Sequence, residues 1–263
     1  MSIDFSNFSF TYAGGSKAAI QDICHEFESG SYWCVAGANG SGKSTLLKSV
    51  CGILDGTVGK GTVKIEGREI RSIDRVNLAR TVAYVPGGAG IQFPITAREL
   101  IAQGRFPYKQ RLSIGLSEED ETKIQSIVAL LGLEKNQNRL VSQLSWGESA
   151  LVMLGRALAQ ETKWLVLDEA VSSLDLGVQR RVFSVLEKMH RDRKVGILFV
   201  GHDLNLAAEF IPKLLWLHEG KIIKSGPFNE VLSDDLLSYV YGKDAGLSVG
   251  QNPKNGKPKI FFS

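Results

Sequence analysis

The stretch Gly37 to Thr45, GANGSGKST, follows the apolar run SYWCVA (Ser31 to Ala36) and leads into a helical pattern, STLLKSVCGIL. It fits G-x-x-x-x-G-K-[ST] between a strand and a helix, the setting in which that spacing cradles phosphate. Gly37, Gly40 and Gly42 let the backbone turn its N–H groups inward. Ala38, Asn39, Ser41 and Thr45 complete the loop. The helix N-terminus adds its partial positive charge. Lys43 would reach the β and γ phosphates of a nucleotide, and Ser44 would place its hydroxyl on Mg²⁺.

A loop of this kind needs a parallel sheet behind it. The apolar runs Ser31 to Ala36, Thr81 to Val85, Trp164 to Leu167 and Val195 to Val200 suit buried parallel strands. Helical patterns follow several of them, in STLLKSVCGIL, GVQRRVFSVLEKMHRDR and DLNLAAEF, so an α/β fold is expected, with phosphate chemistry at the carboxyl ends of the strands. Ile3 to Tyr12, Ala19 to Phe27 and Gly61 to Glu66 read as an antiparallel β flank. Thr96 to Gly104, Ser117 to Leu131 and Gly147 to Gln160 read as a helical insertion. Residues 1–86 and 161–263 are thus expected to form one α/β core with its β flank, and 87–160 the inserted helical part. Gly250 to Lys259 reads as a mobile hairpin or tail before IFF.

At 263 residues, 43% of them apolar, the chain has ample material for a buried core. Its net charge of +3 is spread without blocks, so no nucleic-acid partner is expected. Cys24, Cys34 and Cys51 lack metal-site spacing and read as reduced thiols of a cytosolic protein. No run approaches the roughly 18 apolar residues of a membrane span, and MSIDFSNFSF lacks the basic start of a secretory signal.

A second chemical element is WLVLDE, Trp164 to Glu169, which sets Asp168 at the end of a buried strand, where it can hold the Mg²⁺ hydration shell. Glu169 could orient or deprotonate a water attacking the γ phosphate. His202 follows the strand VGILFV and could contact that phosphate or the water. His25, His190 and His218 have no such placement.

With Gly37 to Thr45, LSWGES, WLVLDEAVSSLD and VGHD in this order, the chain resembles the nucleotide-binding subunit of ATP-binding cassette transporters, whose fold is a RecA-like P-loop core with an antiparallel β flank and a helical subdomain. The resemblance implies ATP and Mg²⁺ as ligands, with Glu169, His202 and Lys43 catalytic and Ser44 and Asp168 at the metal. It implies that Tyr12 stacks on adenine, with core packing as the alternative for that ring. It also implies a head-to-tail dimer, in which Ser145, Gly147 and Glu148 of one subunit and Asp175 in the loop SSLD meet the ATP held by the other. Permease subunits in the membrane, and through them a substrate-binding protein, would be partners of a subunit lying on the cytoplasmic face of the inner membrane. ITARELIAQGRFPY, LSEEDETKI, SDDLLSYVYG and NGKPKIFF resemble the importers of iron siderophores, haem or cobalamin.

Two motifs depart from the family pattern. Pro86 is followed by Gly87 where the family has glutamine, and Gln92 stands five residues later in the glycine-rich stretch. In LSWGES, Trp146 replaces a glycine: a positive φ there would strain it, whereas a negative φ would let the indole point aside. Ser145 and Glu148 have the S-x-x-E spacing of a capping box. A transport ATPase is the expected function. The alternatives are a dimerising nucleotide-binding module with weak or no turnover, and a soluble cassette acting on ribosomes or DNA. The last usually has tandem cassettes or a coiled coil.

Overall fold

Burial patterns divide the strands into two kinds. In a computed structural model that describes residues 2–54, 56–87, 94–109 and 115–262, the strands are β1 (Ile3–Tyr12), β2 (Ile20–Phe27), β3 (Tyr32–Ala36), β4 (Gly56–Ile65), β5 (Arg68–Glu69), β6 (Val82–Pro86), β7 (Trp164–Asp168), β8 (Gly196–Val200), β9 (Lys213–His218), β10 (Lys221–Pro227), β11 (Leu247–Gln251) and β12 (Pro258–Phe262). Strands β3, β7 and β8 are buried along their whole length, as expected when both faces of a sheet are covered. Strands β1 and β2 mix buried with exposed positions, as a sheet with one wet face does.

The first kind builds a sheet ordered β10-β9-β3-β8-β7-β6, parallel except for β10 at its edge. The second builds the antiparallel sheet β2-β1-β4-β5. The helices are α1 (Lys43–Val50), α2 (Arg75–Thr81), α3 (Ala97–Ala102), α4 (Glu118–Leu131), α5 (Trp146–Ala159), α6 (Leu176–Arg193), α7 (Leu204–Phe210), α8 (Phe228–Val231) and α9 (Asp234–Tyr241).

Two apolar clusters sit on opposite faces of the parallel sheet. One joins Leu46, Leu47 and Val50 of α1 to Val166, Leu198 and Val200 and to the antiparallel flank through Ile3, Phe10 and Phe27. The other joins Val85, Leu167 and Phe199 to α6 and to the helices between β6 and β7, through Leu100, Val128 and Val152. Within those helices, the buried Arg105 guanidinium donates to Asp120, to Glu161 and to the Ala159 carbonyl. These bonds compensate its desolvation and tie the start of α4 to the end of α5.

Some boundaries moved from the sequence reading. The helix expected over STLLKSVCGIL stops at Val50, because Gly52 at φ +63° turns the chain away. The run Thr96 to Gly104 is a short α3 followed by a 3₁₀ segment through Tyr108, with Pro107 inside it. The stretch before IFF is the turn of the hairpin β11–β12, which Asn205 fastens to α7 by exchanging two hydrogen bonds with the Ile260 backbone.

Candidate functional site

Strands β3, β6, β7 and β8 all run in one direction, so the loops after them gather at one edge of the sheet. After β3, Gly37 (φ +155°) passes so close to the Leu217 carbonyl that a Cβ would collide with it. Gly42 (φ +103°) caps α1 without any side-chain hydrogen bond. The first turn of α1 therefore keeps its N–H groups clear of a capping side chain.

Inside the loop, the Lys43 ammonium donates to the carbonyls of Gly37 and Ala38, both at 2.9 Å. Burial lowers its pKa, and the carboxylates of Glu169 and Asp168 oppose that shift. The buried Ser41 hydroxyl has no hydrogen-bond partner. A cradle with a buried cation, an orphaned hydroxyl and a bare helix N-terminus suits a polyanion.

Asp168, at the end of β7 and 6% exposed, is fixed at both oxygens. Ser44 Oγ donates to Oδ1 and the Tyr84 hydroxyl to Oδ2, each at 2.9 Å. Burial, together with the Asp168 carboxylate beside it, pushes the Tyr84 phenol well above the usual range, so it remains a donor. Sequence reading missed Tyr84; its only signal was a polar tip within the apolar run TVAYV.

Glu169 leaves β7 in the left-handed region at φ +55°, unusual for a side chain with a Cβ. Its N–H donates to the Val200 carbonyl, and the Ser172 N–H and hydroxyl both donate to the Glu169 carbonyl. These bonds hold the turn that sets Glu169 Oε1 3.0 Å from His202 Nε2. At the far end of β1, the Tyr12 hydroxyl lies 3.1 Å from Thr45 Oγ1, and its ring stands edge-on to Phe10 and is 39% exposed.

Gly87, after β6, packs against the same corner. A Cβ there would lie 2.7 Å from the Asp168 carbonyl oxygen and 2.9 Å from the Glu169 Cβ. Gln92 lies outside the described residues.

The remaining expected contacts stand on α5 and α6. Ser145 Oγ accepts from the Glu148 N–H at 3.2 Å, and Glu148 accepts from the Ser145 N–H at 2.8 Å, which is a complete capping box. The Ser145 N–H, foremost, holds the Glu148 pKa below its usual value; Asn136 donates to the other carboxylate oxygen. Neither Asn136 nor its role was read from the sequence. Trp146 is the first helical residue, has no positive φ and is 63% exposed, so the strain considered for it is absent. Gly147 faces the loop carbonyl of Ser173 and the Leu174 side chain. Asp175 caps α6 by accepting from the Val178 N–H. Among the described residues, no hydrogen bond joins Ser145, Glu148 or Asp175 to the loop from Gly37 to Thr45.

The family model of the ABC transporter matches residues 20–172. The chain is 31% identical to the iron(3+)-hydroxamate import ATP-binding protein FhuC of Bacillus subtilis (strain 168), over 93% of this chain and 89% of that one. It is 33% identical to the hemin import ATP-binding protein HmuV of Burkholderia thailandensis, over 88% of this chain and 90% of that one. A solved ATP-binding cassette of an ABC transporter, in its ADP conformation, superposes with a TM-score of 0.77 at 25% identity, covering 92% of this chain and 98% of the other.

Proposed function

The chain belongs to the ABC transporter family, and from that premise we propose that it is the ATP-hydrolysing subunit of a membrane importer for a metal chelate. The observation that carries this reading is the convergence of Lys43, Ser44, Asp168, Glu169 and His202 at one sheet edge, in a chain aligned almost end to end with importer ATPases.

The loop from Gly37 to Thr45 takes the triphosphate, with its N–H groups and Lys43 on the β and γ phosphates. Tyr12 offers its exposed ring to adenine while its hydroxyl tethers β1 to Thr45. Ser44 and Asp168 supply hard oxygen donors side by side, and they fit Mg²⁺ held jointly with phosphate oxygens. Bound there, the ion would offset the charge that develops on the phosphates.

Glu169 accepts a proton from water as the water oxygen bonds to the γ phosphorus. The bond from that phosphorus to the bridging oxygen breaks, and ADP leaves with the electron pair. His202, 3.0 Å from Glu169, orients that carboxylate and reaches toward the γ phosphate. A second copy, docked head to tail, brings Ser145, Gly147 and Glu148 to the opposite side of the ATP, with Asp175 in the adjoining loop. Closure on ATP and reopening after hydrolysis would drive permease subunits docked on the helices within 87–160, beside the α/β core of 1–86 and 161–263. Those permeases would receive cargo from a substrate-binding protein. Among the described residues no helix is long and apolar enough to cross a membrane. The likeness to import ATP-binding proteins supports a subunit attached peripherally at the cytoplasmic face.

Uptake assays test this reading. Cells lacking the gene should lose uptake of one among ferric hydroxamate, haem and cobalamin. The intact gene should restore it and a Lys43→Ala version should not. Unchanged uptake of all three would refute the metal-chelate assignment.

A further inference from the structure

Tyr84 belongs to none of the motifs that define the site, yet it makes one of the two side-chain hydrogen bonds observed on Asp168. Its position explains how. Strands β6 and β7 run parallel with Tyr84 beside Val166 and Pro86 beside Asp168. Cross-strand partners share a face and side chains alternate along a strand, so Tyr84, Val166 and Asp168 all face α1. Two residues along a strand span roughly 6–7 Å. A tyrosine side chain bridges that length and its hydroxyl ends at Oδ2; phenylalanine would fill the same space and stop short.

The carboxylate is thereby held in one rotation. Oδ1 faces Ser44, the other proposed metal-side donor, and Oδ2 is kept occupied. The carbon that follows β6 gives no alternative donor, since Gly87 has no side chain and no room for one. We propose that Tyr84 is a positioning residue for the metal: its hydroxyl locks the Asp168 carboxylate so that the Ser44–Asp168 pair receives a divalent cation on the bound nucleotide. Partners of metal-site carboxylates commonly govern affinity by about 10–100-fold.

This inference rests on the phosphate-site reading, and the test separates the two. The probe is Mn²⁺, its free concentration followed by electron paramagnetic resonance as it is titrated into the intact chain saturated with ADP. ADP affinity in EDTA and thermal stability serve as controls. In Tyr84→Phe, the Mn²⁺ dissociation constant should rise by about tenfold or more, with ADP affinity in EDTA unchanged. In an Asp168→Asn background, Tyr84→Phe should add nothing further. An unchanged Mn²⁺ constant would overturn the inference, and so would an equal loss of ADP affinity in EDTA, which marks a packing role. If the unaltered chain binds no Mn²⁺ with ADP, the phosphate-site reading itself fails.

Discussion

The α-carbon of Gly87 faces the Asp168–Glu169 peptide so closely that a methyl group on it would sit 2.7 Å from the Asp168 carbonyl oxygen. The glycine at this corner is therefore fitted to its neighbours. Gly87→Gln should not restore a missing function. It must push β6 away from β7, disturb the Tyr84–Asp168 bond, and destabilise the chain by about 1–3 kcal/mol. Urea unfolding of Gly87→Gln and Gly87→Ala checks this, with both expected to lose stability and neither to gain ATPase rate.

Ser145 and Trp146 should separate cleanly. The Ser145 hydroxyl caps α5, so Ser145→Ala is expected to cost about 1 kcal/mol in chemical denaturation. Trp146 is exposed, so Trp146→Ala should change the stability of the isolated chain by less than about 0.5 kcal/mol. Because no backbone strain is relieved, Trp146→Gly should not speed turnover through that route. A faster variant would mean the indole itself slows closure of the dimer.

These two residues also show where sequence reading succeeds and where it stops. The glycine loop after β3, the buried strands and the capping box were legible because each rests on local chemistry: glycine spacing, apolar runs and S-x-x-E. The backbone angle at Trp146 was not, since a tryptophan fits a helix start as readily as it strains a left-handed turn. Tyr84 and Gly87 were opaque for a different reason. Their roles depend on the parallel pairing of β6 with β7, strands separated by the helices of the insertion, and no local pattern announces which residues will meet. The edge pair β9–β10 was missed as well: β9 is a short apolar run close to a helix, and β10, KIIKSGP, is mostly polar and half-exposed.

His25 should give the fold a pH dependence of its own. Its ring packs edge-on against Phe27 and Trp33, and burial, partly offset by Glu28, lowers its pKa from 6.5 to about 4. Above the unfolded value the ring is neutral in both states and costs nothing. As pH falls from about 6.5 toward about 4, the unfolded chain takes up the proton first, and stability drops by up to ~3 kcal/mol. Urea unfolding at pH 7 and pH 5 should show this loss in the parent chain and a smaller one in His25→Phe. An identical loss in both would assign the effect to other groups.

The Glu169–His202 pair carries the central claim, that this site breaks the terminal phosphoryl bond of ATP. The most direct measurement is steady-state phosphate release from MgATP by the chain assembled with its membrane partners, beside the same assembly bearing Glu169→Gln. The parent should release phosphate continuously. The variant should fall by on the order of 100-fold or more and retain ATP in a closed dimer. Equal rates from the two assemblies would contradict the account.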